Sequence, residues 1–165
     1  MSFDNREGYI WYNGKVVDWK TANIHVLNHG LHYASCVFEG ERAYKGNIFE
    51  TEQHTDRLFN SALSLDMKIP YTKIEILEAK NELIKQNSLK DAYVRPVVWR
   101  GSEMMAVSAQ TTKINVAIAV WEWPSYFDPE QKMQGIKLDI AKWKRPSPEC
   151  GPVHAKAAGL YMICT

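Results

Sequence analysis

Short apolar runs broken by turn residues, and two stretches of helical spacing between them, organise this chain. Tyr9-Ile10-Trp11-Tyr12 and Lys15-Val16-Val17 flank Asn13-Gly14. Both positions of a two-residue turn need positive φ, which Asn and Gly tolerate, so the pair predicts a hairpin. Residues 37–44 read as one further strand, turned by Lys45-Gly46-Asn47, with Ile48-Phe49 beginning the return. Thr51 with Glu52 opens a helix in which Leu58, Ala62 and Leu65 recur at helical spacing, with Phe59 and Leu63 beside them. A second helix spans about residues 72–87, where Thr72 and Glu75 form a capping-box pattern. Its stripe is Ile74, Leu77, Asn81 and Ile84, with Asn81 as a polar break. Residues 92–99, 114–121 and 136–143 are rich in Val, Ile and aromatics and read as strands. Strands, then helices, then strands predict an α+β fold with a mostly antiparallel sheet and two helices.

The prolines and polar residues of Pro124-Ser125-Tyr126-Phe127-Asp128-Pro129 divide that pattern. They predict a small α+β domain over 1–126, a connection over 127–134, and the start of a second domain over 135–165. A loop with three prolines, 145–152, leads into His154-Ala155-Lys156-Ala157-Ala158. The last residues, 159–165, are apolar and carry no helix-closing signal, so the reading expects the chain to stop inside an element. Apolar residues make up 45% and charged ones 24%, which excludes a disordered chain. The 20 Lys and Arg nearly balance the 19 Asp and Glu, which argues against a dedicated nucleic-acid or polybasic membrane surface. Cys36, Cys150 and Cys164 have neither zinc-ligand nor redox spacing, so a reducing cytoplasm is expected. No apolar stretch approaches the roughly 18 residues of a membrane span. Aromatics reach 12%, with six Trp and eight Tyr, residues that gather at interfaces and pockets.

Few residues offer chemistry by their own spacing. Tyr93 and Arg95 share one strand face, and a phenol beside a guanidinium makes a carboxylate receptor. The bland alternative is a satisfied surface arginine. Phe38, Gly40 and Arg42 also share a face, with Gly40 allowing close approach. Arg57 could bind phosphate or be merely solvated on its helix. His25, His29 and His32 are irregularly spaced with no nearby Cys, and read as structural groups in a loop rather than metal ligands. Lys156 sits among Val153, Ala155, Ala157, Ala158 and Gly159. Small apolar neighbours favour the neutral amine that a Schiff base requires, although a solvent-facing lysine at a helix start fits the same context.

Taken in order, six blocks make the sequence resemble the branched-chain amino acid aminotransferases, class IV pyridoxal-phosphate enzymes. They are Tyr9-Ile10-Trp11-Tyr12-Asn13-Gly14, His29-Gly30-Leu31-His32-Tyr33, Val37-Phe38-Glu39-Gly40, His54-Thr55-Asp56-Arg57-Leu58, Ala92-Tyr93-Val94-Arg95-Pro96 and Ala155-Lys156-Ala157-Ala158-Gly159-Leu160-Tyr161. The resemblance implies the N-terminal part of a fold-type-IV aminotransferase, cytoplasmic and homo-oligomeric, a dimer or higher. Its implied cofactor is pyridoxal 5′-phosphate, and its reaction passes the amino group of Leu, Ile or Val to 2-oxoglutarate. Lys156 then matches the lysine that holds the cofactor covalently and shuttles the α-proton. Arg57 matches the arginine at the cofactor phosphate. Tyr93 matches a tyrosine at the substrate carboxylate, and Arg95 an arginine that accepts the acidic side chain of glutamate. Phe38, Trp123, Tyr126 and Tyr161 match aromatics around the pocket, Tyr161 also lying at the cofactor, and Tyr33 matches a residue reaching in from a partner subunit. Family members continue well past the lysine, so activity of these 165 residues alone is doubtful on this reading. D-amino-acid aminotransferase and aminodeoxychorismate lyase are relatives on the same fold, and a non-catalytic remnant is a further alternative. The Tyr93-Val94-Arg95 block favours the branched-chain branch.

Overall fold

Asn13 and Gly14 both adopt positive φ, 47° and 87°. They join β1 (Tyr9–Tyr12) to β2 (Lys15–Asp18) as the antiparallel hairpin expected of them. The structure, a computed structural model, describes residues 2–123 and 129–164. After the hairpin come α1 (His29–Tyr33), β3 (Cys36–Phe38), β4 (Glu41–Tyr44), β5 (Asn47–Ile48), α2 (Thr51–Ser64), α3 (Lys73–Gln86), β6 (Ala92–Arg100), β7 (Ile114–Trp121) and α4 (Pro129–Gln134). A 3-10 helix over Ala158–Cys164 follows. The strands form one antiparallel sheet in the order β2-β1-β7-β6-β4-β5, with β3 also paired to β6.

The single strand expected over 37–44 is two. Phe38 faces Val97 and Glu41 faces Val94, so β3 and β4 keep one register along β6. Between them the Glu39 amide donates to the carbonyl of Pro96 at 2.9 Å. Proline has no N–H to return, so the ladder loses a bond there.

β6 alternates between faces. Ala92, Val94 and Val98 are buried with Val37, Leu58, Ala62, Ile76, Leu83 and Ile118 under α2 and α3, while Tyr93, Arg95 and Val97 point to the other, more open face. The Thr72–Glu75 capping box forms, and it starts α3 where the sequence places it. The buried face of α3 is different, however. It is Ile76, Ala79, Lys80, Leu83 and Ile84, while Ile74 is 67% exposed and Asn81 is exposed. The helix is turned because Lys80, polar in any periodicity count, points inward.

Two further expectations give way. His29 and His32 lie in the short helix α1, capped by the Asn28 side chain, rather than in a loop. Residues 136–143 are no strand, and Ile136, Leu138, Ile140 and Trp143 are all exposed. A strand needs a neighbour to bond, and no described strand lies beside this run. Farther along, Ala155 and Ala157 are buried in the main core, and Leu160 packs against it. No helix among the described residues is long and apolar enough to cross a membrane.

Candidate active site

Residues 155–157 dock against β3 like an added strand. Val37 bridges Ala157, the Phe38 amide donates to the Lys156 carbonyl at 3.1 Å, and the Lys156 amide donates to Ser61 Oγ at 2.9 Å. With Ala155 and Ala157 turned into the core, period-2 alternation sends Lys156 the other way. Its Nζ donates to the Tyr161 hydroxyl at 2.7 Å and lies 4.9 Å from the centre of the Phe38 ring. The lysine is half-buried, neither sealed among its small neighbours nor fully in water.

Phe38 is the hub of this group. The Tyr161 ring lies 5.1 Å from it, and the Arg95 guanidinium sits 4.7 Å above it. Arg95 Nη2 donates to the Tyr93 hydroxyl at 3.0 Å, as their shared strand face allows. Tyr93 is packed in turn against Trp121 and Trp123, with ring centres 5.0 and 4.7 Å away. Gly40 is required here, since a Cβ on it would fall 2.0 Å from the Tyr93 hydroxyl. The close approach expected at this glycine is therefore to a phenol. On the same open face a groove of about 600 Å³ runs from Arg95 past Val97 and Ala117 to Ile10. Cys36 lines it, and burial pushes its thiol up to about 11, which keeps it protonated and poorly nucleophilic.

Arg57 shares with Lys156 a second pocket of about 280 Å³, whose walls include Arg145, His154 and Tyr161. Arg57, Arg145, His154 and Lys156 together give this cavity a cation-rich lining that an anion could use. Arg57 is not simply solvated. Its Nε and Nη2 donate to the two oxygens of Glu39 at 2.5 and 2.7 Å, and His54 Nδ1 lies 2.8 Å from Oε2. Glu39 is wholly buried. Burial alone would raise its carboxyl, yet the hydrogen bonds from Arg57 and His54 outweigh that and hold it below the usual carboxylate range. Donating to Glu39 in turn raises Arg57.

Behind Glu39 lies a second buried pair, Lys80 and Glu41, with Nζ to Oε1 at 2.7 Å. Thr55 accepts from Lys80 at 2.8 Å and Thr51 donates to Glu41 at 2.9 Å. Burial raises Glu41 and lowers Lys80, each against the pull of its partner. Sequence reasoning overlooked Glu39, Glu41, Arg145 and His154. The signal for the two acids was present. Val37, Glu39, Glu41 and Ala43 alternate onto one buried face, so two carboxylates turned inward demand buried cations.

The structure thus gathers Phe38, Arg57, Tyr93, Arg95, Trp123, Lys156 and Tyr161 into one connected arrangement. Tyr33 stands apart from it, half exposed against His29, and its hydroxyl donates to the Met105 carbonyl at 3.1 Å. Tyr126 lies outside the described residues.

Comparison with known proteins adds to this geometry. The family model for amino-transferase class IV matches residues 36–164. The branched-chain-amino-acid aminotransferase of Pseudomonas aeruginosa is 44% identical over 98% of this chain and 54% of its own. That of Escherichia coli K12 is 36% identical over 93% of this chain and 52% of its own. A solved T.th. branched-chain amino acid aminotransferase with pyridoxamine 5′-phosphate superposes with a TM-score of 0.90 at 36% identity, over 96% of this chain and 53% of that one. The chain therefore spans about half the length of the relatives it matches.

Proposed function

The chain belongs to the class IV aminotransferases, and from that premise we propose that its protein moves the amino group of Leu, Ile or Val to 2-oxoglutarate with pyridoxal 5′-phosphate as cofactor. One observation carries the reading. A primary amine, Lys156, stands between a basic pocket holding Arg57 and an aromatic wall that ends in Arg95. The residues fit the cofactor: Arg57 can meet a phosphate at the pocket where Lys156 can meet an aldehyde. Bound pyridoxal phosphate supplies the electron sink that acidifies the α-carbon proton. Lys156 Nζ takes up and returns that proton, and the Tyr161 hydroxyl orients the amine. Tyr93 binds the substrate carboxylate, with Phe38, Trp123 and Tyr126 walling the alkyl side chain.

In the same reading residues 1–126 are the small domain, 127–134 the connection, and 135–165 belong to the cofactor-binding domain. The exposed Ile136, Leu138 and Ile140 give that domain an apolar row to pack on. A second copy brings Tyr33 to the pocket, and the exposed Ile24, Val26, Leu27 and Leu31 near the groove suit such an assembly. A cytoplasmic location agrees with the three cysteines, all free.

Incubating the protein at its natural length with pyridoxal phosphate, then reducing with borohydride, is expected to add the cofactor to the Lys156 peptide. Peptide mass mapping reads the result, and labelling at other lysines alone would overturn the assignment.

Arg95 gives a sharper expectation about specificity. Arg95→Met keeps an unbranched chain over Phe38 but removes the charge. A hydrogen bond to a charged group contributes about 1.5–3 kcal/mol. The glutamate half-reaction should lose that much, while the leucine half-reaction, whose side chain has no charge to match, should hold. Single-turnover rates of the two half-reactions measure this, and equal losses would make Arg95 merely structural.

A further inference from the structure

Arg57 cannot leave Glu39 to bind an anion. A carboxylate with no solvent exposure that lost its guanidinium would keep only His54 and the Gly40 amide, which lies 3.2 Å from Oε2. A buried charge stripped of its main partner is strongly disfavoured. Any anion must therefore take the part of the guanidinium that Glu39 does not use. Nε and Nη2 are committed to Glu39, and Nη1 has no hydrogen-bond partner among the described residues. Arg57 borders the pocket shared with Lys156, and its side chain is 48% exposed.

We propose that Glu39 is the positioning residue for Arg57, gripping one edge of the guanidinium so that Nη1 is held ready for the phosphate of the cofactor. This rests on the reading above that Arg57 meets that phosphate. Glu39 is itself fixed from several sides. Its carboxylate sits on the β3–β4 connection where Pro96 interrupts the ladder, faces His54 and Arg57 from α2, and lies near the Lys80–Glu41 pair between α3 and β4. A two-point grip on a planar, rigid fork fixes its direction as well as its place.

The sign of the effect separates positioning from simple electrostatics. Glu39 is negative, so removing its charge would by itself strengthen the attraction of Arg57 for phosphate. A loss of phosphate affinity on neutralising Glu39 can then come only from lost orientation.

The test uses the cofactor-free protein at its natural length, titrated with pyridoxal 5′-phosphate and with pyridoxal, which lacks the phosphate. Glu39→Gln is expected to weaken pyridoxal phosphate by about 10–100-fold, by analogy with the loss when the partner that orients a metal-binding side chain is removed. Pyridoxal affinity should be unchanged. Added to Arg57→Ala, the Glu39→Gln change should lower the ratio of the two affinities no further. Should Glu39→Gln fail to fold, Glu39→Asp keeps the charge but shortens its reach, and the same ratio should fall. Tighter phosphate binding, an unchanged ratio, or equal losses for both ligands would overturn the inference. If Arg57→Ala itself leaves the ratio unchanged, the phosphate role of Arg57 fails instead, and the two failures are thus distinct.

Discussion

Replacing Lys156 with Ala should lower transamination by orders of magnitude while leaving the protein folded. The fold should survive because this residue is tied down by its backbone. Its amide donates to Ser61, and its carbonyl accepts from Phe38, so neither bond involves the side chain. The chemistry should fail because Lys156 supplies the only lysine amine among the described walls of the Arg57 pocket. Lys80, the other lysine of this region, is sealed beneath with Glu41. Arginine at 156 should fail too, since its guanidinium stays protonated and forms no imine with a carbonyl. Turnover by the alanine variant within about tenfold of the parent would correspond to only ~1.4 kcal/mol of transition-state stabilisation and would remove Lys156 from the mechanism.

The second large effect concerns stability. Lys80→Met leaves Glu41 as a buried carboxylate with only Thr51 to satisfy it. Breaking a buried pair from one side costs about 3–5 kcal/mol. At roughly 2–4 °C per kcal/mol for a chain of this size, the melting temperature should drop by about 6–20 °C. Replacing both partners by apolar residues, Lys80→Met with Glu41→Leu, should recover most of that loss, since a packed apolar pair is often as stable as a buried ionic one. Thermal unfolding of the two variants measures the contrast. A single variant that melts with the parent would mean that the pair contributes little.

These cases mark where the sequence was legible. The hairpin at Asn13-Gly14 and the start of α3 at Thr72 rest on residues that satisfy each other locally, and both appear as expected. The face of α3 does not, because the partner that draws Lys80 inward lies on β4, far away along the chain. The break in the 37–44 strand likewise depends on a proline in β6. Residues 136–143 carried the composition of a strand, but composition cannot supply a neighbour. At the candidate site, the quoted blocks named Phe38, Tyr93, Arg95, Lys156 and Tyr161, and the fold brings those five together. Alternation along a block can show which of its members face inward, but not which distant side chain meets them there. Glu39 stands between Phe38 and Gly40 in one of them, and its link to Arg57 becomes visible only when α2 is laid across the sheet.

The docked segment that carries Lys156, bridged to β3 at Val37, has a practical consequence for redesign. Ala155 and Ala157 fill the space behind it with single methyl groups, and both are nearly sealed. Overfilling a packed interior forces neighbouring backbone to shift. A larger residue at either position would therefore displace the amine from the rear, with every pocket-lining side chain left as it was. The reach of Lys156 can thus be adjusted from the core, independently of Phe38, Tyr161 and the other side chains around its amine.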